Sequence, residues 1–305
     1  MVLKRMIRFG GLAVAVLVLA VACQTMRNGG APTLPPDTED RLRLASLNVH
    51  YIDMRAEGGR WSRAGWDARK EPLDRTVKAI DADIFGFQEM ESFAGGDSDA
   101  ENLTRRFLLE RNPGYAAAAV GDWRAFPSTQ PIFYRRDRFG LREQGWFFFS
   151  ETPDVIYSRT FDGSYPAFAS WARFEDLRSG AAFRVVNVHT DYASRENRRR
   201  SVALIAERIG PWIAAGETVF LAGDLNARLG SGLHRRLEAA GLAFVPFEGA
   251  TYHLDMGLNL FGAIDHIGYS GARLLGDPVV YREKLGEVWP TDHYPVVADF
   301  RIGHE

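Results

Sequence analysis

The chain has 305 residues, 46% of them hydrophobic and 25% charged, with a formal net charge of −2. That composition is ordinary for a globular protein and long enough for one large domain or two small ones. The mildly acidic balance excludes a dedicated polyanion-coating protein, but not an enzyme that binds one phosphate locally.

The first 23 residues, MVLKRMIRFGGLAVAVLVLAVAC, begin with Lys4, Arg5 and Arg8, contain no acid, and run through apolar residues into small ones. The apolar run is shorter than the roughly 20 residues a spanning helix needs. It reads as a cleaved export signal or a short uncleaved anchor. Without it the chain keeps 34 basic residues (37 less those three) against 39 acidic ones, a net charge of −5. The sole cysteine, Cys23, closes the stretch LAVAC, which resembles the lipobox of bacterial lipoproteins. That resemblance implies a lipidated Cys23 as the first mature residue. Gln24 in place of Asp implies sorting to the outer membrane, facing the periplasm. Residues 24–40, polar and rich in Gly and Pro, read as a tether. No Pro/Gly-rich linker interrupts residues 41–305, which are expected to form one domain without disulfides.

In chain order, 41–49 alternates as a strand. KEPLDRTVKAI then places Leu73, Val77 and Ile80 on one helical face. DIFGFQE is a buried strand and ENLTRRFLLE a helix. Four strand-like runs follow, at 115–120, 131–139, 145–149 and 166–174. AAFRVVNVH is a strand. ENRRRSVALIAERI is a helix with Val202, Ile205 and Ile209 inward. TVFLAGD is a strand, LHRRLEAA a helix, AIDHIGYS a strand, and Val296 to Phe300 a last buried strand. This mixture predicts an α/β fold of two packed sheets flanked by helices.

Several strands run straight into a polar residue, the way a rigid sheet presents reactive groups at one edge. These residues are Asn48; Gln88, Glu89 and Glu91; Asn187, His189 and Asp191; Asp224 and Asn226; Asp265 and His266; and Asp292 and His293. Taken singly, each is a common turn former or helix cap. The order of the set carries the information. The blocks LNV, DIFGFQE, VNVHTDYASRENRR, AGDLNA, IDHI and TDHYPV resemble, in order and over about residues 41–301, the endonuclease/exonuclease/phosphatase (DNase I-like) superfamily, and in particular its secreted bacterial members.

That resemblance implies a four-layer α/β sandwich of two mixed sheets flanked by helices. It implies a metal-dependent hydrolase that attacks a phosphate ester with an activated water. Glu89 is the implied main metal ligand, Asn48 lies beside it, and Asp292 is a second ligand. Asp224 is the implied base, with Asn226 orienting it or the phosphate. His189 and His293 flank the scissile phosphate, and Asp265 pairs with His293. The implied metal is Mg²⁺, with Mn²⁺ as the alternative. A hard cation needs only one or two carboxylates, and no Cys/His cluster has zinc spacing. A carboxylate beside His293 favours its charged form, which can donate to a phosphoryl oxygen. Adjacent strand residues face opposite ways, so Asp292 and His293 reach one cleft only if the backbone turns, and Pro290 and Pro295 supply that turn.

One departure stands out. Many members carry Asp two residues after the strand Asn, and here that position is His50, which could reach Mn²⁺. His253 is a minor candidate for lining the cleft, and His266, next to Asp265, reads as facing the core or solvent. Asp191 is expected to support the site, and Arg198 is a candidate to bridge to acidic residues there. The runs RRDR (135–138) and RRR (198–200) read as solvated faces. Substrate choice is expected from loops 53–70, 92–101, 121–130 and 151–165. Nucleic acid, lipid headgroups and small metabolites stay open as substrates. A diester is favoured; a phosphomonoesterase of a sugar or lipid headgroup and a binding lipoprotein without catalysis are the alternatives. No protein partner is implied, and the molecule is expected to be a monomer tethered by its lipid.

Overall fold

The structure, a computed structural model, describes residues 2–29, 33–36, 38, 40–92, 101–162 and 165–303. Parts of the expected tether (30–32, 37, 39) and of two expected specificity loops (93–100, 163–164) lie outside the described residues. In chain order the elements are α1 (Val2–Arg27), β1 (Leu42–Asn48), α2 (Arg63–Ile80), β2 (Ile84–Gln88), α3 (Leu103–Arg111), β3 (Tyr115–Ala118), β4 (Ile132–Arg135), β5 (Phe139–Phe148) and β6 (Phe168–Asp176). They continue with β7 (Ala182–His189), α4 (Arg195–Ala214), β8 (Thr218–Asp224), α5 (Gly232–Ala239), β9 (Ala243–Phe244), β10 (Asp265–Ser270), β11 (Ala272–Val280) and β12 (Val296–Ile302).

The strands form two six-stranded sheets, ordered β11-β12-β1-β2-β4-β3 and β5-β6-β7-β8-β10-β9. Each has one parallel pair at its heart, β1 with β2 and β7 with β8; the other pairs are antiparallel. A parallel pair needs a crossover, and α2 and α4 provide the two. The sheets meet through Leu44, Ile84, Val185, Phe220, Val296 and Phe300, all buried. The outer face of the first sheet is covered by Leu73, Val77 and Ile80 of α2 and Leu108 of α3. Val202, Ile205 and Ile209 of α4 and Leu237 of α5 cover the second. Four layers result, as expected. The inward positions predicted on both long helices are among the most buried in the chain.

Some elements differ from the sequence reading. The second helix starts at Arg63, capped by Ser62, and runs through Pro72. Proline normally belongs in a first turn. Here the preceding turns are held by Trp66 and Arg69, 3% and 1% exposed. Residues 63–70 are therefore helix, not specificity loop. Strand β11 was not foreseen: it is an edge strand, bulged between Leu275 and Val279, and most of it is half-buried or exposed, so it lacks an apolar run. Helix α1 continues past Cys23 into the expected tether as far as Arg27. Among the described residues no helix is long and apolar enough to cross a membrane.

Two glycines permit close approaches, one between the sheets and one between neighbouring strands. A Cβ on Gly86 of β2 would lie 3.2 Å from the Ala222 Cβ in the facing sheet. A Cβ on Gly223 would run into the Val188 carbonyl oxygen on the neighbouring strand. Gly223 pairs with Val188 one residue before His189 meets Asp224, so displacement there moves two site residues. Gly223→Ala is expected to cost about 1–3 kcal/mol of stability, measured by urea unfolding. An unchanged midpoint would show that β7 yields freely.

Candidate active site

The parallel strands end at one edge. In the first sheet Asn48 pairs with Gln88; in the second, His189 pairs with Asp224, which pairs with Asp265. Three residues at or just beyond this edge, His50, Glu89 and Asn226, have left-handed backbones with φ of 52°, 55° and 46°. Each conformation costs an L-residue about 1–2 kcal/mol. It also breaks strand alternation. Gln88 is fully buried between the sheets, while Glu89 comes within 3.8 Å of His189 across them. Asp292 and His293 precede β12 in irregular backbone, consistent with the turn expected between the prolines.

A connected network joins the predicted residues. Asn48 Nδ2 donates to Glu89 Oε1 at 2.9 Å and lies 3.4 Å from Asp224 Oδ2. His189 Nε2 is 3.6 Å, and His293 Nε2 3.8 Å, from the same Asp224 oxygen. The other oxygen, Asp224 Oδ1, accepts the Asn226 backbone N–H at 2.8 Å, while Asn226 Nδ2 donates to the Thr190 carbonyl. His293 Nδ1 is 2.9 Å from Asp265 Oδ2. Thr291 Oγ1 donates to the Asn48 carbonyl, tying the Asp292 loop to β1.

Environment separates the charges. Burial, and next the Asp265 carboxylate, push Asp224 up to about 6, against the pull of His293 and His189. Burial resists charge on His293, but Asp265, Asp224 and Asp292 outweigh it and raise its pKa well above the ordinary value. Burial would also raise Glu89; the adjacent His189, His50 and Asn48 hold it below the usual carboxylate range.

One cluster of donors and one unpartnered carboxylate oxygen are candidate cation sites among the described residues. Asp224, Asp265 and His293 offer ligand atoms within 4.8 Å of one another. There, however, the His293 nitrogens already face the carboxylates, Nδ1 at 2.9 Å from Asp265 Oδ2 and Nε2 at 3.8 Å from Asp224 Oδ2. Glu89 fits better. Its Oε2 is buried without a hydrogen-bond partner among the described residues. Asn48 presents Nδ2 to Glu89 while its Oδ1 accepts the His50 N–H, so its oxygen would join an ion at Glu89 only if the amide turned over; carboxylate and amide oxygens suit a hard divalent ion.

Other expectations are modified. His253 does not line the cleft; it is fully buried against Tyr294 and Trp289, and burial pushes it down to about 3. Its backbone N–H donates to the Asp292 carbonyl, supporting that loop from beneath. His266 faces the core, one of the two placements expected of it, with Nε2 on the Ala227 carbonyl. Gln88 and Asn187 are structural, bonded to each other between the sheets. Asp191 caps the turn before α4, and Arg198 grips the Asp191 and Tyr192 carbonyls, not an acidic side chain. The His50 ring stacks on Trp61 with centroids 3.6 Å apart, its Nδ1 4.0 Å from Glu89 Oε2. Burial lowers its pKa, against the pull of Glu89 and Asp292.

The residue missed was Arg69. It is buried between Trp61 and Trp66, and its guanidinium donates to the carbonyls of Val49, His50, Tyr51 and Pro290. One side chain thus ties the exit of β1 to the approach of β12. Its sequence signal was only an arginine on the apolar side of a helix, in phase with Trp66 and Leu73.

Two face-to-face mixed sheets flanked by helices, with carboxylates and histidines at a shared edge, define a DNase I-like fold. The endonuclease/exonuclease/phosphatase family model matches residues 45–293, and the chain belongs to that family, whose members are hydrolases acting on phosphate esters. A family member from Bacteroides thetaiotaomicron is similar at 26% identity and a TM-score of 0.72, over 85% of this chain and 97% of that one. The mannosyl-6-phosphatase Bt3783 of the same organism is 26% identical with a TM-score of 0.71, over 85% and 99%. D. rerio TDP2 complexed with single-strand DNA product, 16% identical with a TM-score of 0.60 over 86% and 99%, shares the fold. No curated protein matches the chain.

Asp265→Asn tests the electrostatics. Protonated His293 contributes stability that is fully present below about pH 6.5 and is lost as pH rises through its raised folded value. Without the Asp265 charge that loss is expected at lower pH, and so is deprotonation of the ring, followed by nitrogen NMR. An unmoved His293 titration would overturn the pairing.

Proposed function

We propose that this protein is a metal-dependent phosphoesterase that attacks a small phosphate ester with water activated by Asp224. The observation that carries the reading is the convergence on Asp224 Oδ2 of Asn48, His189 and His293 at 3.4–3.8 Å. Asn48 donates to that oxygen at 3.4 Å, while the two histidine separations are longer than direct hydrogen bonds and suit groups that close on a bound water or phosphoryl oxygen.

The roles follow from each group's surroundings. The Asn226 backbone N–H holds Asp224 Oδ1 and leaves Oδ2 to take the water's proton. With a pKa of about 6, Asp224 is mostly ionised at neutral pH yet basic enough to accept that proton. Charged His293, oriented by Asp265, donates to a phosphoryl oxygen as its charge grows. His189, beside both Glu89 and Asp224, would face the phosphate from the other side. A divalent cation held by Glu89 and Asp292, joined by the Asn48 oxygen once its amide turns over, would neutralise charge on the phosphoryl and leaving oxygens; oxygen donors favour Mg²⁺ or Mn²⁺.

A phosphomonoester of a sugar now gains support over the diester favoured by sequence. Side chains of both basic runs are engaged in ion pairs: Arg135 with Asp81, Arg138 with Asp83 and Asp176, Arg199 with Glu196, and Arg200 with Glu151. With four of their arginines paired and Arg198 on the Asp191 and Tyr192 carbonyls, neither run supplies the continuous cationic track that an extended polyanion uses. Similarity to a mannosyl-6-phosphatase points the same way.

Assays on p-nitrophenyl phosphate and its bis ester, with Mg²⁺, Mn²⁺ or EDTA, decide. Turnover of the monoester that EDTA abolishes is expected. Asp224→Asn and His293→Ala are each expected to slow it by about 100-fold or more with melting still cooperative. No turnover with any metal sinks the enzyme reading, and diester-only turnover restores the diester.

We also propose that Cys23 is lipidated, holding residues 41–305 at the outer membrane through the 24–40 segment. The exposed, free thiol in LAVAC supports this. Cys23→Ser is expected to abolish labelling by radioactive palmitate and release the protein from the membrane fraction. Persisting label would refute it.

A further inference from the structure

One aromatic surface touches the proposed site without a role in it. Tyr252 lies in the loop before β10, and an isolated antiparallel bridge pairs it with His293. Its ring centroid is 5.1 Å from that of His293. Phe261 continues the surface outward, nearly parallel to Tyr252 (29°) with centroids 6.5 Å apart, and remains 41% exposed. The two rings extend from the proton-donating imidazole to solvent. Neither is needed for the core: Tyr252 and Phe261 are absent from the three buried clusters. The Tyr252 hydroxyl makes no hydrogen bond among the described residues. Burial, and after it Asp292 and Glu89, push the phenol up, so it stays a donor.

An ester whose phosphoryl oxygen accepts from His293 has this wall next to it. A flat apolar face with a polar tip suits a pyranose ring, which has apolar C–H faces and hydroxyl edges. We propose that Tyr252, extended by Phe261, is the platform for the leaving group of a sugar phosphate. This rests on the phosphoesterase reading and adds the residues that recognise the ester's organic part. Tyr252 is a specificity residue: it binds the substrate beside the phosphoryl group and takes no proton.

The test separates the platform from the chemistry. In full-length Asp224→Asn protein with Mg²⁺, where turnover is suppressed, calorimetry measures binding of inorganic phosphate and of mannose 6-phosphate. The sugar phosphate is expected to bind at least tenfold more tightly than phosphate. Adding Tyr252→Ala should remove most of that advantage while leaving phosphate affinity within twofold. Tyr252→Phe should keep most of it, because the face persists, and Phe261→Ala should lose about threefold. Melting curves check that each variant folds. Equal binding of the two ligands before any platform change, or an advantage that survives Tyr252→Ala, overturns the platform, while turnover by the unmodified protein leaves the phosphoesterase reading standing. Binding of neither ligand, with no turnover, removes both.

Discussion

The site depends on a pair of amides buried between the sheets. Gln88 Nε2 donates to Asn187 Oδ1 at 2.7 Å, and Asn187 Nδ2 donates to the Phe87 carbonyl at 2.7 Å. A buried amide left unpaired costs roughly 1–3 kcal/mol per group, so only the arrangement that brings these residues face to face is favourable. The layer that Leu44, Ile84, Val185, Phe220, Val296 and Phe300 form is aliphatic and aromatic, and such contacts are non-directional where amide hydrogen bonds are not. The clamp lies one residue before Glu89 and two before His189, which is why groups from different sheets meet at 3.8 Å.

Charge is then distributed around that junction by burial. Asp265 and Asp224 flank His293, and a shared proton inventory becomes one strongly held proton on the imidazole and a carboxylate poised near 6. Across the cleft Glu89 stays ionised, with one oxygen satisfied by Asn48 and the other bare. Behind it stands Arg69, which burial pushes down to about 10 and which Asp292 and Glu89 help keep charged. Its hydrogen bonds all go to backbone, so it can brace two loops without neutralising a carboxylate the metal would need.

Much of this was legible in the sequence because a half-buried strand has a visible period and a polar terminus. Asn48, Glu89, His189, Asp224, Asp265 and His293 all ended or followed apolar runs, and they meet. The same signature failed to tell a reactive polar end from a structural one. Gln88 and Glu89 are neighbours in one block, and only the left-handed turn between strand and loop sends one inward and the other into the cleft. His253 and His266 were ambiguous for the same reason; both turned out to be core residues. Arg69 was hidden because a buried cation on a helix looks like a mispatterned surface residue until its carbonyl partners, more than 200 residues apart in the case of Pro290, are in place. The extent of α2 was hidden by Pro72, whose usual first-turn preference was overridden by packing.

The left-handed residues at the strand ends act as phase resets. Inside each strand, parity decides which side chains join the core, and a one-residue slip would invert every assignment. At His50, Glu89 and Asn226 that inherited parity stops. The groups beyond them need not share the rhythm of the sheet that carries them. The sheets can therefore be repacked by substitutions that conserve alternation while the chemistry at their rim changes independently. Mutational tolerance in this protein should accordingly change sharply at Asn48, Gln88 and Asp224, the last residues of their strands.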